Sequence, residues 1–154
     1  MDEKILARAK NNAYALLRQR PRSEYEIRSR LKLKGYDKDV IEDVVSLLKR
    51  IGDIDDNKFA HIWMESRMRM NPMGEVVLKY ELKEKGVSDS IIEATLAQRR
   101  EKYDEYEVAF DMAKERFERF KKLDRQKAAK RVYDFLVRRG FKYDVIRRII
   151  EDLR

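Results

Sequence analysis

Between positions 121 and 131 six basic side chains, Lys121, Lys122, Arg125, Lys127, Lys130 and Arg131, are opposed by a single acid, Asp124. A run of that kind attracts anions, either phosphates or the carboxylates of an acidic protein surface. A second basic group, Arg20, Arg22, Arg28 and Arg30, lies near the start of the chain. Basic residues on amphipathic helices also form solvated faces and pair with acids four residues away. The nearly unopposed 121–131 run is therefore the stronger candidate for a contact.

Catalytic chemistry has little to build on. His61 is the sole histidine and there is no cysteine, so nothing completes a metal site or a nucleophile–base pair, and His61 is expected on the surface. The chain has five glycines, none in a Gly-rich loop preceding a Lys-Ser/Thr pair, so no phosphate cradle is expected either. We expect a non-enzyme without cofactor or metal. Trp63, the only tryptophan, is expected to point partly inward, and Tyr103, Tyr106, Phe110, Phe117 and Phe120 fall mostly at helical spacing, which favours core packing over base stacking.

At the scale of the whole chain, 154 residues suit one domain or a short array of small units. Charged residues reach 43%, but Leu, Ile, Val and Phe still make up about a quarter of the sequence, enough for a folded chain with a thin core. With no cysteine, no apolar leader after Met1-Asp2-Glu3-Lys4 and no apolar run of membrane-spanning length, a soluble, cytoplasmic protein is expected. The net charge of +8 favours anionic partners or partners already complexed with nucleic acid. It is unevenly spread. Residues 1–52 carry 13 basic and 8 acidic side chains, 53–102 carry 9 and 10, and 103–154 carry 15 and 11, so the ends are basic and the middle is neutral.

Three glycines reveal an internal repeat. Lys34-Gly35-Tyr36, Lys85-Gly86-Val87 and Arg139-Gly140-Phe141 each place a basic residue before the glycine and an apolar or aromatic one after it, at spacings of 51 and 54. Eight residues before each glycine stand Ile27, Leu78 and Val132, and four before stand Leu31, Leu82 and Leu136. Five and six residues after come Val40-Ile41, Ile91-Ile92 and Val145-Ile146, and ten after come Val45, Leu96 and Ile150. Apolar residues four apart share one helical face, so each glycine separates two amphipathic helices. Without a Cβ it can take the left-handed conformation that closes the first of them.

The helix starts carry their own marks. Ser23-Glu24-Tyr25-Glu26 reads as a capping box, Pro21 and Pro72 mark helix entrances, and Asp37 and Ser88 occupy N-cap positions. A preceding helix in each unit is read from Leu6, Ala9, Ala13 and Leu16, from Phe59, Ile62, Trp63 and Met70 after the acidic start Asp55-Asp56, and from Tyr106, Phe110, Ala113, Phe117 and Phe120. The expected fold is all-α: three tandem three-helix repeats over 1–52, 53–102 and 103–154, about nine helices in all, stacked into an elongated, curved array. Joints are expected at 49–56 and 97–104, with Arg99 to Glu107 either one continuous helix or a hinge.

These residues resemble a known family. Arg22-Ser23-Glu24-Tyr25-Glu26-Ile27-Arg28 with Leu31 and Lys34-Gly35-Tyr36 is similar to the first-repeat signature of the RecX regulatory proteins. Asp55-Asp56, Phe59-Ala60, Trp63, Arg67, Gly74, Glu81-Leu82 and Lys85-Gly86-Val87 resemble the second, and Arg138-Arg139-Gly140-Phe141 with Val145-Ile146 the end of the third. The resemblance spans essentially the whole chain and is weakest over 99–131. It implies a bacterial negative regulator of homologous recombination, DNA repair and the SOS response. Such a protein binds RecA and RecA–ssDNA filaments and inhibits ATP hydrolysis, strand exchange and co-protease action. On that implication Arg67 joins the two basic groups as a candidate filament or DNA contact, weak direct DNA contact is possible, and a monomer is expected.

Two other readings fit the residues. One is a helix-turn-helix-like sequence-specific DNA-binding protein, against which stand the scattered Asn and Gln and the neutral middle repeat. The other is a structural helical adaptor with no nucleic-acid contact.

Overall fold

The computed structural model describes residues 2–153. Among them are nine helices and no strand: α1 Glu3–Gln19, α2 Glu24–Leu33, α3 Lys38–Arg50, α4 Asp56–Met70, α5 Glu75–Glu84, α6 Asp89–Lys102, α7 Glu105–Arg119, α8 Arg125–Arg138 and α9 Tyr143–Leu153. They group by threes into an all-α tandem repeat. The chain also divides into two compact units, Met1–Trp63 with Leu82–Ile92 and Met64–Glu81 with Glu93–Arg154, so the division runs through the second repeat.

In the first unit α1, α2 and α3 enclose a core of Ala9, Ala13, Ile27, Leu31, Val40, Ile41, Val44, Val45, Leu48 and Ile54, flanked by half-buried Leu6, Leu16 and Tyr36. Alanines on α1 leave room for the bulkier side chains of α2 and α3. Each fully buried Ile or Leu contributes about 1.5–3 kcal/mol relative to exposure. The second unit repeats the scheme with Ala109, Ala113, Val132, Leu136, Phe141, Ile146 and Ile149, again alanines on the first helix and branched residues on the other two.

The glycines close helices as the spacing implies. Gly35, Gly86 and Gly140 have φ of 90°, 73° and 87°. In each turn two amide–carbonyl bonds seal the helix end: Tyr36 N to Leu31 O at 3.2 Å, Val87 N to Leu82 O at 3.1 Å and Phe141 N to Leu136 O at 3.2 Å, each with a second bond from the glycine itself. Gly52, φ 86°, closes α3 in the same way and carries no counterpart in the repeat pattern.

Each compact unit contains a joint in which the start of one repeat's second helix meets a later glycine turn. In the first, the Ser23 hydroxyl donates to Lys85 O at 2.6 Å while its oxygen accepts from Glu26 N at 3.2 Å, completing the capping box with Ser23 N to Glu26 Oε1. In the second, Gly74 N donates to Arg139 O at 2.8 Å and Val76 N to Gly140 O at 3.1 Å. Ser23 and Gly74 both stand twelve residues before their own repeat's glycine. The approach is close enough that a Cβ on Gly74 would lie 2.3 Å from Gly140 O.

Several expectations need correction in detail. The buried residues of α4 are Phe59, Ala60, Met64 and Met68, whereas Ile62 and Met70 are exposed; Trp63 is half-buried, in keeping with its expected place. Spacings of 59, 60, 64 and 68 trace a single stripe, and Ile62 and Met70 lie outside it. Helix α6 continues to Lys102, so the joint expected over 97–104 shrinks to Tyr103 and Asp104. There the helix is interrupted, and the Asp104 carboxylate accepts from Glu107 N at 2.9 Å and starts α7. Asp37 is an N-cap by backbone conformation only, with no side-chain bond. Pro21 and Pro72 lie three residues ahead of the first helical residue rather than on it.

Gly35 and Gly86 share the left-handed backbone but not the surroundings, since a Cβ at Gly35 meets nothing within 4 Å and one at Gly86 would fall 2.3 Å from Tyr25 Cβ. Gly35→Ala is therefore expected to cost about 1 kcal/mol from backbone strain alone. Gly86→Ala is expected to cost at least twice that in urea unfolding; equal costs would mean the helix-end contact relaxes freely.

Candidate functional site

The two basic groups end up in different chemical situations. Near the start of α2, the Arg20 guanidinium pairs with Glu26 and donates to Pro21 O at 2.8 Å. Arg22 is 8% exposed; its Nε donates to Leu16 O at 3.3 Å, satisfying a carbonyl of the last turn of α1, and its Nη2 donates to Gln19 Oε1 at 2.8 Å. Burial pushes the Arg22 pKa below its ordinary value. Arg28 bridges Glu24 at 2.9 Å and Glu42 at 2.8 Å, and the Glu42 hydrogen bond raises its pKa. Arg30 alone in this group is exposed with no ion pair among the described residues. Arg67 forms a two-bond pair with Glu81, at 3.0 and 2.9 Å.

The third-repeat group behaves otherwise. Lys121, Lys122, Arg125, Lys127, Lys130 and Arg131 are all exposed, on the loop after α7 and the first half of α8. Lys121 and Lys130 make loose pairs with Glu118 at 3.6 Å and Asp134 at 3.5 Å, and Arg131 lies 5.5 Å from the Phe120 ring centroid. Lys122, Arg125 and Lys127 have no ion pair among the described residues, and the first turn of α8 contains no acid. The fold thus leaves one basic group exposed and mostly unpaired and consumes most of the other in helix ends and interhelical pairs.

Charged residues do the joining in the second unit, and of these the repeat pattern had picked out Arg139 but not Arg99, Glu75 or Arg100. Arg99, 0% exposed, donates to Met73 O at 2.7 Å and to both Glu105 oxygens at 2.8 and 3.0 Å, while its Nε has no partner. Glu75 accepts from Arg100 at 2.6 and 2.8 Å and lies 3.8 Å from Lys142. Arg139 donates to Asn71 O at 2.8 Å and Asn71 Oδ1 at 2.7 Å, and burial lowers its pKa. A signal for Arg99 was present: it falls three residues after Leu96 and seven after Ile92, on the buried face of α6.

The aromatic residues take supporting places. Tyr106, Phe110, Phe117 and Phe120 pack half-buried against the third-repeat core, and Tyr103 donates to Glu65 at 3.0 Å. His61 is exposed. Among the described residues no His, Cys, Asp and Glu group is placed to hold a metal ion, and no helix is long and apolar enough to cross a membrane.

Taken together, the helices define an all-α tandem-repeat protein with a group of exposed cations in its third repeat. Comparison with known proteins makes this specific. Residues 9–48, 55–96 and 103–150 match the first, second and third three-helix domains of RecX, and the chain belongs to the RecX family. It is 34% identical over 153 residues to the regulatory protein RecX of Prosthecochloris aestuarii, covering 99% of this chain and 98% of that one. It is 30% identical to the regulatory protein RecX of Clostridioides difficile, covering 99% of this chain and 71% of the relative. The crystal structure of RecX from Lactobacillus salivarius superposes with a TM-score of 0.85 over 97% of both chains at 24% identity, a likeness of fold.

Glu75 provides a test of the second-unit joint. Its carboxyl is held below the ordinary carboxylate range, first by the Arg100 hydrogen bond, against an opposing push from burial. A depressed folded-state value stabilises fully above the unfolded value of about 4.3 and is lost as pH falls through the folded one. The melting-temperature gap between the wild type and Glu75→Gln is therefore expected to stay constant above about pH 5 and to narrow below the unfolded value. A gap unchanged down to pH 3 would mean the charge of Glu75 plays no part.

Proposed function

We propose that this chain binds the RecA recombinase and RecA–ssDNA filaments and restrains ATP hydrolysis, strand exchange and co-protease action, acting in the bacterial cytoplasm as a monomer. The observation that carries the reading is the match of all three repeats to RecX domains in order along the chain. The exposed cations of the third repeat support it physically, because Lys122, Arg125 and Lys127 have no ion pair among the described residues and can meet an acidic or nucleic-acid-bearing surface.

Repetition suits a polymeric target. A filament offers the same surface many times, and repeats over 1–52, 53–102 and 103–154 present several modest contacts on one chain. Linked weak contacts can raise avidity by about 10²–10⁴ without a strong individual site. Holding neighbouring protomers in fixed relation opposes the rearrangements that nucleotide turnover requires.

Within that reading the candidate contacts divide by role. Lys121, Lys122, Arg125, Lys127, Lys130, Arg131 and Arg30 are available to a partner, whereas Arg20, Arg22, Arg28 and Arg67 already serve intramolecular bonds. Wild-type protein is expected to inhibit the ssDNA-dependent ATPase of RecA at substoichiometric to equal amounts. Reversing Lys122, Arg125 and Lys127 to Glu should relieve that inhibition and flatten the salt dependence of filament binding. Arg22→Ala should instead cost about 1 kcal/mol of stability, because it removes hydrogen bonds to Gln19 Oε1 and to Leu16 O, which keeps the Arg20 amide. Full inhibition by the triple variant would clear the basic face, and no inhibition by the wild type would defeat the reading.

A further inference from the structure

The groove between the second and third helices of a repeat is built alike in the first two repeats and differently in the third. Seven residues before the glycine stand Arg28 and Lys79, and seven after it stand Glu42 and Glu93. Each cation reaches across to its acid, Arg28 to Glu42 at 2.8 Å and Lys79 to Glu93 at 3.6 Å. These pairs tie the two helices together. In the third repeat the same two positions hold Tyr133 and Arg147. No acid answers Arg147, which is exposed and makes no ion pair among the described residues.

Aromatic surface takes the place of the missing pair. Tyr143, 58% exposed, meets Tyr133 edge-on with ring centroids 6.2 Å apart and planes at 78°. The Arg147 guanidinium lies over the Tyr143 ring at 5.0 Å. Together with Lys130 these residues line a cleft of about 400 Å³ between α8 and α9. Lys130 has Asp134 at 3.5 Å, and Glu151 lines the cleft one turn beyond Arg147. Lys127 stands one turn back along α8 from Lys130 and Arg125 two residues before that, and neither has an ion pair among the described residues.

We propose that the α8–α9 groove of the third repeat is a contact site for single-stranded nucleic acid, taking an unstacked base against Tyr143 and Arg147 and the adjoining phosphates on Arg147, Lys130 and Lys127. The chemistry recommends this occupant over an acidic polypeptide. Carboxylates need cations alone, whereas an unstacked base needs a planar platform beside a cation, here Tyr143 beneath Arg147. An arginine over a tyrosine supplies both at once: the outward guanidinium face stacks a base, and its free N–H edge meets a phosphate. A duplex keeps its bases stacked inside and offers only phosphates to such a cleft. This contact shares Lys127 and Lys130 with the cations proposed above for docking on RecA, and an assay without RecA tests it apart from that reading.

The test is fluorescence anisotropy of a labelled oligothymidylate of about 20 nucleotides, a length exceeding one such site, titrated with the purified full chain at several salt concentrations. Tyr143→Ala should weaken binding roughly tenfold, within the range of one base stack, while Tyr143→Phe should bind like the wild type. Arg147→Glu, which puts the repeat-one residue type at this position, should also weaken binding and lower the salt slope by about 0.7 for each phosphate no longer neutralised. Circular dichroism checks that each variant is folded; if Tyr143→Ala is not, the exposed Arg147→Glu carries the test. Wild-type affinity in both Tyr143→Ala and Arg147→Glu would overturn the proposal. So would duplex of equal length binding as tightly as the single strand, or polyglutamate displacing the oligonucleotide as well as unlabelled oligothymidylate does.

Discussion

Each repeat depends on one backbone event, the reversal of its second helix into its third at a left-handed glycine. With φ of 90°, 73° and 87°, Gly35, Gly86 and Gly140 let two amides turn back onto the last carbonyls of the helix and aim the next helix across the same core. In two of the three turns the carbonyls left over are not given to solvent. Lys85 O accepts the Ser23 hydroxyl, and Arg139 O and Gly140 O accept Gly74 N and Val76 N. The device that ends a helix is thus also the device that joins one repeat to another, and the core packing and charge placement are arranged around it.

This dual use explains which parts of the fold could be read from the chain. Helix positions and buried residues follow from periodicity, so Ile27, Leu78 and Val132, and Leu31, Leu82 and Leu136, are all fully buried as their register implies. The joints follow from backbone approach, which leaves no periodic trace. A serine fills the twelfth position before the glycine in one repeat and a glycine fills it in the next, and nothing in either residue type announces that it touches a distant carbonyl. Ile62 and Met70 of α4 mislead for a related reason, because apolar residues on an exposed stripe look the same in a sequence as those on a buried one.

Charge was the least legible property, and the reason is geometric. Arg22 and Arg131 are indistinguishable as residues, yet one is sealed against a helix end and the other is open to solvent. What separates them is whether carbonyls or carboxylates come within reach once the helices are placed. Local composition is a partial guide: the 121–131 run has one acid in eleven residues and stays mostly unpaired, while the first group has Glu24 and Glu26 among its arginines and is largely consumed. Arg99 marks the limit of that guide, an arginine with 0% exposure held by Glu105 and Met73 O.

Trp63 has a consequence of another kind. The chain's single indole lies with Lys85 at 5.1 Å and Arg20 at 5.9 Å from its ring, beside the turn that receives Ser23. Nearby ammonium and guanidinium groups alter both the brightness and the colour of indole emission, so nature has placed an optical reporter on one junction and none on the other. Emission followed during denaturation would register changes around that first junction and the adjoining Phe59 of α4.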